Sequence, residues 1–192
     1  MPMILDLATL TPSQVYFHMT QTLIPRPIAW VLSENADGGH NLAPFSYFNA
    51  VCSDPPLIML SVGKKPDGSF KDTRVNIERR GHFVVHIPRR DQAELVSASS
   101  ATLPAGESEV ARLGLETTPF EGFGLPRLAD CAVAYGCAAW EIRELGDLPQ
   151  SLILGRVHRL YLDDSLAGRD EKGRLRVDAR RLDPLGLSLI HI

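Results

Sequence analysis

The chain has 192 residues, of which 44% are apolar and 22% charged, proportions that exclude a disordered, fibrous or coiled-coil protein. A formal charge of −3 and a pI near 6.1 give no general attraction to nucleic acid or to an anionic lipid surface. The length predicts one domain over residues 1–192 with a single compact core.

The start, Met1-Pro2-Met3-Ile4-Leu5-Asp6, lacks a basic region followed by an apolar one. No later apolar run approaches the roughly 20 residues that span a bilayer, so neither a membrane nor a secretory route is expected and the predicted location is the cytoplasm. Cys52, Cys131 and Cys137 are an odd number without CxxC or zinc-type spacing. They read as buried free thiols, with no metal site.

Ile28 to Ser33 is an apolar run that predicts a buried strand, and the Glu34–Gly39 stretch supplies turn residues that tolerate positive φ. The returning segment Asn41–Phe48 is rich in aromatics. Pro55-Pro56 closes the connection after it, and Leu57–Val62 predicts a second buried strand. A short helix is predicted over Thr73–Arg80, capped by Thr73 or Asp72, then a strand over Gly81–Ile87 and a helix over Asp91–Ser99 capped by Asp91. Ala101–Leu125, rich in Gly, Pro, Thr and Glu with a possible helix at Glu107–Leu113, reads as an excursion lying over a binding site. Ala129–Leu145 and Gln150–Leu162 form a second hairpin around Gly146-Asp147-Leu148-Pro149. Many turn-bounded strands with few helices and no strand–helix alternation predict an antiparallel barrel rather than a doubly wound sheet.

No GxGxxG or GxxxxGK[ST] loop occurs, so any bound phosphate must be held by other means. Two segments offer them. Ser69 to Ile77 places Lys71 two residues before Thr73 where a helix begins, so a cation, a hydroxyl and free N–H groups converge; the alternative is an exposed lysine before a capped helix. Asn41 to Asn49 mixes small, aromatic and amide-bearing residues, suited to backbone approaching a flat heteroaromatic ring, or to a buried barrel corner.

Taken in order, Arg26-Pro27-Ile28-Ala29-Trp30-Val31, Asn41-Leu42-Ala43-Pro44-Phe45-Ser46-Tyr47-Phe48-Asn49, Asp54-Pro55-Pro56, Lys71-Asp72-Thr73 and Asn76-Ile77 resemble the flavin reductase-like, FMN-binding split-barrel family. The likeness covers roughly residues 15 to 165 and continues less distinctively through Gly81–Val85 and Gly155–His158. It implies a mainly β protein, a six-stranded antiparallel split β-barrel of Greek-key type with a few short peripheral helices. It also implies a homodimer with FMN at the subunit interface and two-electron transfer from NADH or NADPH.

Carried over by position, the resemblance places isoalloxazine contacts on Asn41, Ala43, Pro44 and Ser46, with Ser61 and Val62 on the adjoining strand. Phosphate contacts fall in Lys71-Asp72-Thr73, and Arg26 is either a second cation near phosphate or nicotinamide or an exposed arginine at the start of its strand. His158 is assigned beside the flavin or incoming nicotinamide, as a positioning group, since hydride transfer is the cofactor's chemistry. The implied function is a flavin reductase passing electrons to free flavin, a partner oxygenase or another acceptor. The alternative is an FMN-binding or electron-carrier module without a productive nicotinamide pocket; a split-barrel oxidase of the pyridoxamine phosphate type fits the motifs less well. The tail departs from the family pattern: Arg181–Gly186 resembles it, but Leu187-Ser188-Leu189-Ile190-His191-Ile192 does not, which is expected to reflect truncation or a non-native end.

Overall fold

The computed structural model describes residues 3–104, 107–147 and 150–187. Helix α1 (Pro12–Thr22) comes first. Its first turn is closed by a reciprocal pair in which the Thr11 hydroxyl accepts from Gln14 N and Gln14 Oε1 accepts from Thr11 N. Seven strands follow: β1 (Ala29–Glu34), β2 (His40–Phe45), β3 (Phe48–Ser53), β4 (Pro56–Val62), β5 (His82–His86), β6 (Val133–Leu145) and β7 (Gln150–Leu162). They make one antiparallel sheet in the order β2-β1-β5-β6-β7-β4-β3. Helix α2 (Asp72–Arg80) links β4 to β5, and α3 (Ala93–Ala98) and α4 (Glu109–Arg112) lie in the connection from β5 to β6.

The two edge strands of this sheet, β2 and β3, are consecutive in sequence and separated only by Ser46 and Tyr47. Two residues bridge roughly 10 Å at most, so the sheet curls until its edges meet at that corner, where Ser61 N donates to Tyr47 O at 2.9 Å. Among the described residues no strand ladder joins β2 to β3. The expected six strands are therefore seven. The extra one is Phe48–Ser53, whose side chains are mostly exposed; its apolar residues lack the continuous run that marks a buried strand.

The continuous apolar runs reflect strands covered on both faces. Along β1, Ala29 and Val31 point into the curl with Phe45, Leu60, Val62, Phe83 and Ile153, while Trp30 and Leu32 point outward beneath Val96, Val110, Phe120 and Leu128. The excursion from β5 to β6 is thus the lid of the second core. Trp30 meets its polar requirement by donating from Nε1 to Ser99 Oγ at 2.8 Å. On the inner face Gly155 lets β7 approach Phe83, since a Cβ there would lie 2.4 Å from the ring's Cζ.

His86 is fully buried and ties the lid to the sheet. Leu128 N donates to its Nε2 at 2.9 Å, so the proton sits on Nδ1, which faces Trp30 O at 3.0 Å. Burial pushes its pKa down to about 4. Cys131 and Cys137 are buried, as expected, and burial raises the Cys131 thiol to about 12 and Cys137 higher still. Cys52 is exposed instead, because the edge strand β3 turns it outward.

The predicted helices form with shifted ends. Helix α2, predicted over Thr73–Arg80, starts at Asp72, with Lys71 as its N-cap and no side-chain cap, rather than being capped by Asp72 or Thr73. A 3-10 turn at Arg90–Gln92 precedes α3, displacing Asp91 from the capping position. Ser108 caps α4, its hydroxyl accepting from Ala111 N. β6 and β7 make the second hairpin, although residues 148 and 149 of its predicted turn, like residues 188–192 of the tail, lie outside the described residues.

Candidate functional site

The first turn of α2 packs against β2 through a buried polar chain. Asn41 Nδ2 donates to Thr73 Oγ1 at 2.9 Å and reaches Ser33 Oγ at 3.3 Å, while Asn76 Nδ2 donates to Ser33 Oγ at 3.2 Å and Asn35 Oδ1 at 2.8 Å. Buried polar side chains need such partners, and here they fix Thr73, itself 1% exposed. Because its oxygen accepts from Asn41, the Thr73 hydroxyl proton is left to donate elsewhere.

Beside it opens a cleft of about 320 Å³ whose walls are Asn41, Ala43 and Pro44 of β2, Lys71 to Thr73, and the hydroxyl-rich stretch Ser99 to Thr102. Lys65 is neutralised by Asp72 at 2.9 Å. Lys64 and Lys71 form no ion pair among the described residues; they lie 4.8 Å from the Phe70 ring centroid and 5.7 Å from that of Phe45. With no side-chain cap on α2, the free N–H groups of its first turn add a positive end. Glu109 reaches into this cleft from α4, its Oε2 accepting from Leu42 N at 2.9 Å; burial raises its pKa above the usual carboxylate range. Cations, a hydroxyl donor and a helix start suit a phosphate group.

A second hollow of about 400 Å³ shares Pro44 with the cleft and is mainly apolar, lined by Ile28, Val96, Leu185 and Leu187 together with Ser46 and Ser97. The C-terminal stretch forms one wall. It is held by the pairing of Gly186 with Pro27 and of Leu187 with Arg26, by Leu185 N donating to Pro88 O at 2.8 Å, and by the Arg90–Asp183 ion pair at 3.0 Å. The two spaces follow β2 from a polar end at Asn41 to an apolar end at Ser46.

Six of the sequence-predicted residues, Asn41, Ala43, Pro44, Lys71, Asp72 and Thr73, meet around the cleft, and Ser46 lines the adjoining hollow. The others stand apart. Val62 is packed into the inner core, and Ser61 pairs with Leu152 while its N–H supports the Tyr47 corner. Arg26 donates to Thr20 O at 2.7 Å and Leu23 O at 2.5 Å and lies over the Tyr47 ring, closing the end of α1. His158 is exposed at a bulge of β7 and lines neither space. Sequence reading laid the Ala101–Leu125 excursion over a binding site without singling out Thr102 or Glu109, and it missed Ser99, Ser100 and the Leu185–Leu187 wall. Their place depends on chain folding back from distant segments, and no local pattern marks it.

Residues 20–182 match the flavin reductase like domain. The structure is similar to nitrilotriacetate monooxygenase component B from Bacillus cereus, with 34% identity and a TM-score of 0.87 over 97% of this chain and 91% of that one. It is also similar to 2-nitrobenzoate 2-nitroreductase from Pseudomonas fluorescens, with 32% identity and a TM-score of 0.83 over 97% and 88%. A split barrel domain from Shewanella frigidimarina, at 18% identity and a TM-score of 0.80 over 97% and 89%, shares the fold. With most of its length matched by the domain and its fold shared with these structures, the chain belongs to the flavin reductase-like domain family.

Proposed function

We propose that the protein is an FMN-dependent oxidoreductase of the flavin reductase type, taking electrons from NADH or NADPH. The observation that carries this reading is the polar-to-apolar order of two adjoining spaces that meet at Pro44, with Lys71 and Thr73 in the cleft and Ile28, Val96 and Leu185 in the hollow beside it. A flavin mononucleotide has the same order: a phosphate, a hydroxylated chain and a flat, largely apolar ring.

The donor set fits that molecule. Lys71, Thr73 and the first N–H groups of α2 hold the phosphate, with Asn41 keeping Thr73 in position. Thr102 offers a hydroxyl to the chain between, while the Ser99 and Ser100 hydroxyls donate to Val96 O and Ser97 O and hold that wall in place; Ala43, Pro44 and Ser46 would flank the ring. When bound, FMN supplies two-electron chemistry, accepting a hydride from NAD(P)H and passing electrons to free flavin, an oxygenase partner or another acceptor. The protein's part is to bind, to orient and to exclude water, the last through the Leu185–Leu187 wall. Similarity to a monooxygenase component and to a nitroreductase supports redox work with a second substrate.

The working form is a cytoplasmic homodimer. None of the residues of α1 is buried, and Tyr16 and Phe17 are 60% and 52% exposed beside the corner that carries Ser46. The open edge strand β3 adds Val51, so a second copy covers apolar surface and a free sheet edge together. His158 lines no cleft of its own protomer, so its role beside the nicotinamide is exercised across that dimer.

A titration with FMN and riboflavin tests the cleft. FMN binds more tightly by the charge-assisted bonds to its phosphate, about 1–3 kcal/mol; equal affinities contradict the placement.

A further inference from the structure

On the outer face of the sheet, at the far end of β7, lies a hollow of about 540 Å³ that has no part in the flavin groove. The strand order separates β2 from β7 by four steps, or about 19 Å along the sheet. Two guanidinium groups line it, those of Arg127 and Arg159. We propose that this hollow is a binding site for a small organic carboxylate with a flat or apolar body.

Both arginines are held in place. Arg127 sits over the Tyr161 ring, 3.4 Å from guanidinium carbon to ring centroid, and its Nη1 donates to Leu128 O at 3.2 Å and Ala129 O at 3.4 Å. Tyr161 is anchored in turn by donating from its hydroxyl to Asp163 at 3.2 Å. Arg159 donates from Nη1 to His158 O at 2.9 Å, and its Nε rests against Gly122, where a Cβ would lie only 2.9 Å away. Gly122 has φ of +70°, a conformation that favours glycine, so the excursion turns there in a way that leaves room for the guanidinium.

These contacts use one edge of each group and leave other donors unspent. Neither arginine forms an ion pair among the described residues, and Glu121, which lines the same hollow, pairs with neither. The Asp163 carboxyl is held below the usual range first by the bonds it accepts from Ser165, with Tyr161 and the charge of Arg127 adding less, so its oxygens are already taken. Two guanidinium groups that line one hollow without an ion-pair partner among the described residues match a carboxylate ligand in charge and in the paired donors each presents. The remaining wall is Pro119, Phe120 and Leu160, the last 54% exposed. That surface suits the ring or alkyl body of the ligand and gives little to a bare inorganic anion.

The test uses the full chain and benzoate as probe, followed by calorimetry, with benzamide, acetate and inorganic phosphate as comparisons. The expected result is saturable binding of benzoate, with benzamide, acetate and phosphate each at least tenfold weaker. Arg159→Gln, whose guanidinium bonds only to its neighbour's carbonyl, is expected to weaken benzoate at least tenfold without lowering the melting temperature. Arg127→Gln is expected to do the same where it folds, and Lys71→Ala, which belongs to the flavin groove, is expected to leave benzoate binding unchanged. No benzoate binding by the wild type, benzamide or phosphate binding as well as benzoate, or undiminished binding by Arg159→Gln each overturns the assignment. None of these outcomes bears on flavin binding, which is measured separately.

Discussion

Asn41 Nδ2 donates to Thr73 Oγ1 at 2.9 Å, joining an edge strand of the sheet to the first turn of α2. The bond spans 32 residues of sequence and sets the hydroxyl at the head of the groove. Asn41→Ala leaves Thr73 short of its donor in a buried setting, while Ser33 keeps the one from Asn76. It is expected to cost about 1–3 kcal/mol of stability in urea unfolding and to weaken FMN more than riboflavin. Unchanged stability would show that the chain of amides does not fix this turn.

Lys71 lies on the groove without an ion-pair partner among the described residues, so its charge is free for a ligand. Lys71→Ala is expected to weaken FMN by about 1–3 kcal/mol and riboflavin little. Equal FMN affinity of variant and wild type would remove it from the site.

Much of this was legible in the chain. The apolar runs of β1 and β4 predicted buried strands, and of the residues singled out in the two segments, Lys71, Asp72 and Thr73 meet Asn41, Ala43 and Pro44 around one cleft. What stayed hidden depends on tertiary return. Phe48–Ser53 reads as connection because an exposed edge strand lacks an apolar run. Glu109 contacts Leu42 from 67 residues away, and Arg26 is occupied by the carbonyls ending α1, a helix the sequence reading did not mark.

His86 makes stability depend on pH. Its folded pKa of about 4 lies below the ordinary histidine value of 6.5, so between these values the unfolded chain binds more protons. The stability from neutral His86 is complete above pH 6.5 and is lost as pH falls toward 4, by about 3 kcal/mol in all. His86→Gln is expected to be less stable at pH 7 but to lose less on acidification. Parallel pH profiles for the two proteins would contradict this.

Gly155 carries its constraint in space rather than in φ. Gly155→Ala forces a methyl against Phe83 and is expected to cost about 1–3 kcal/mol, read as a lower urea midpoint. A neutral substitution would mean that β7 and β5 can part without loss.

His158→Ala is expected to slow anaerobic flavin reduction tenfold to a hundredfold, about 1.4–2.7 kcal/mol of barrier, while FMN affinity stays the same. The effect requires the dimer, whose mass by sedimentation is expected near twice 21.1 kDa. A wild-type rate in the variant would leave this histidine a surface residue.

Hydride transfer itself is measured by mixing the FMN-loaded protein with NADH and with NADPH in the absence of oxygen and following flavin absorbance by stopped flow. At least one of the two is expected to bleach the flavin within seconds, at a rate that saturates with nucleotide concentration. Flavin that stays oxidised with both would show that the groove binds the cofactor without serving hydride transfer, and would contradict the reading as a reductase.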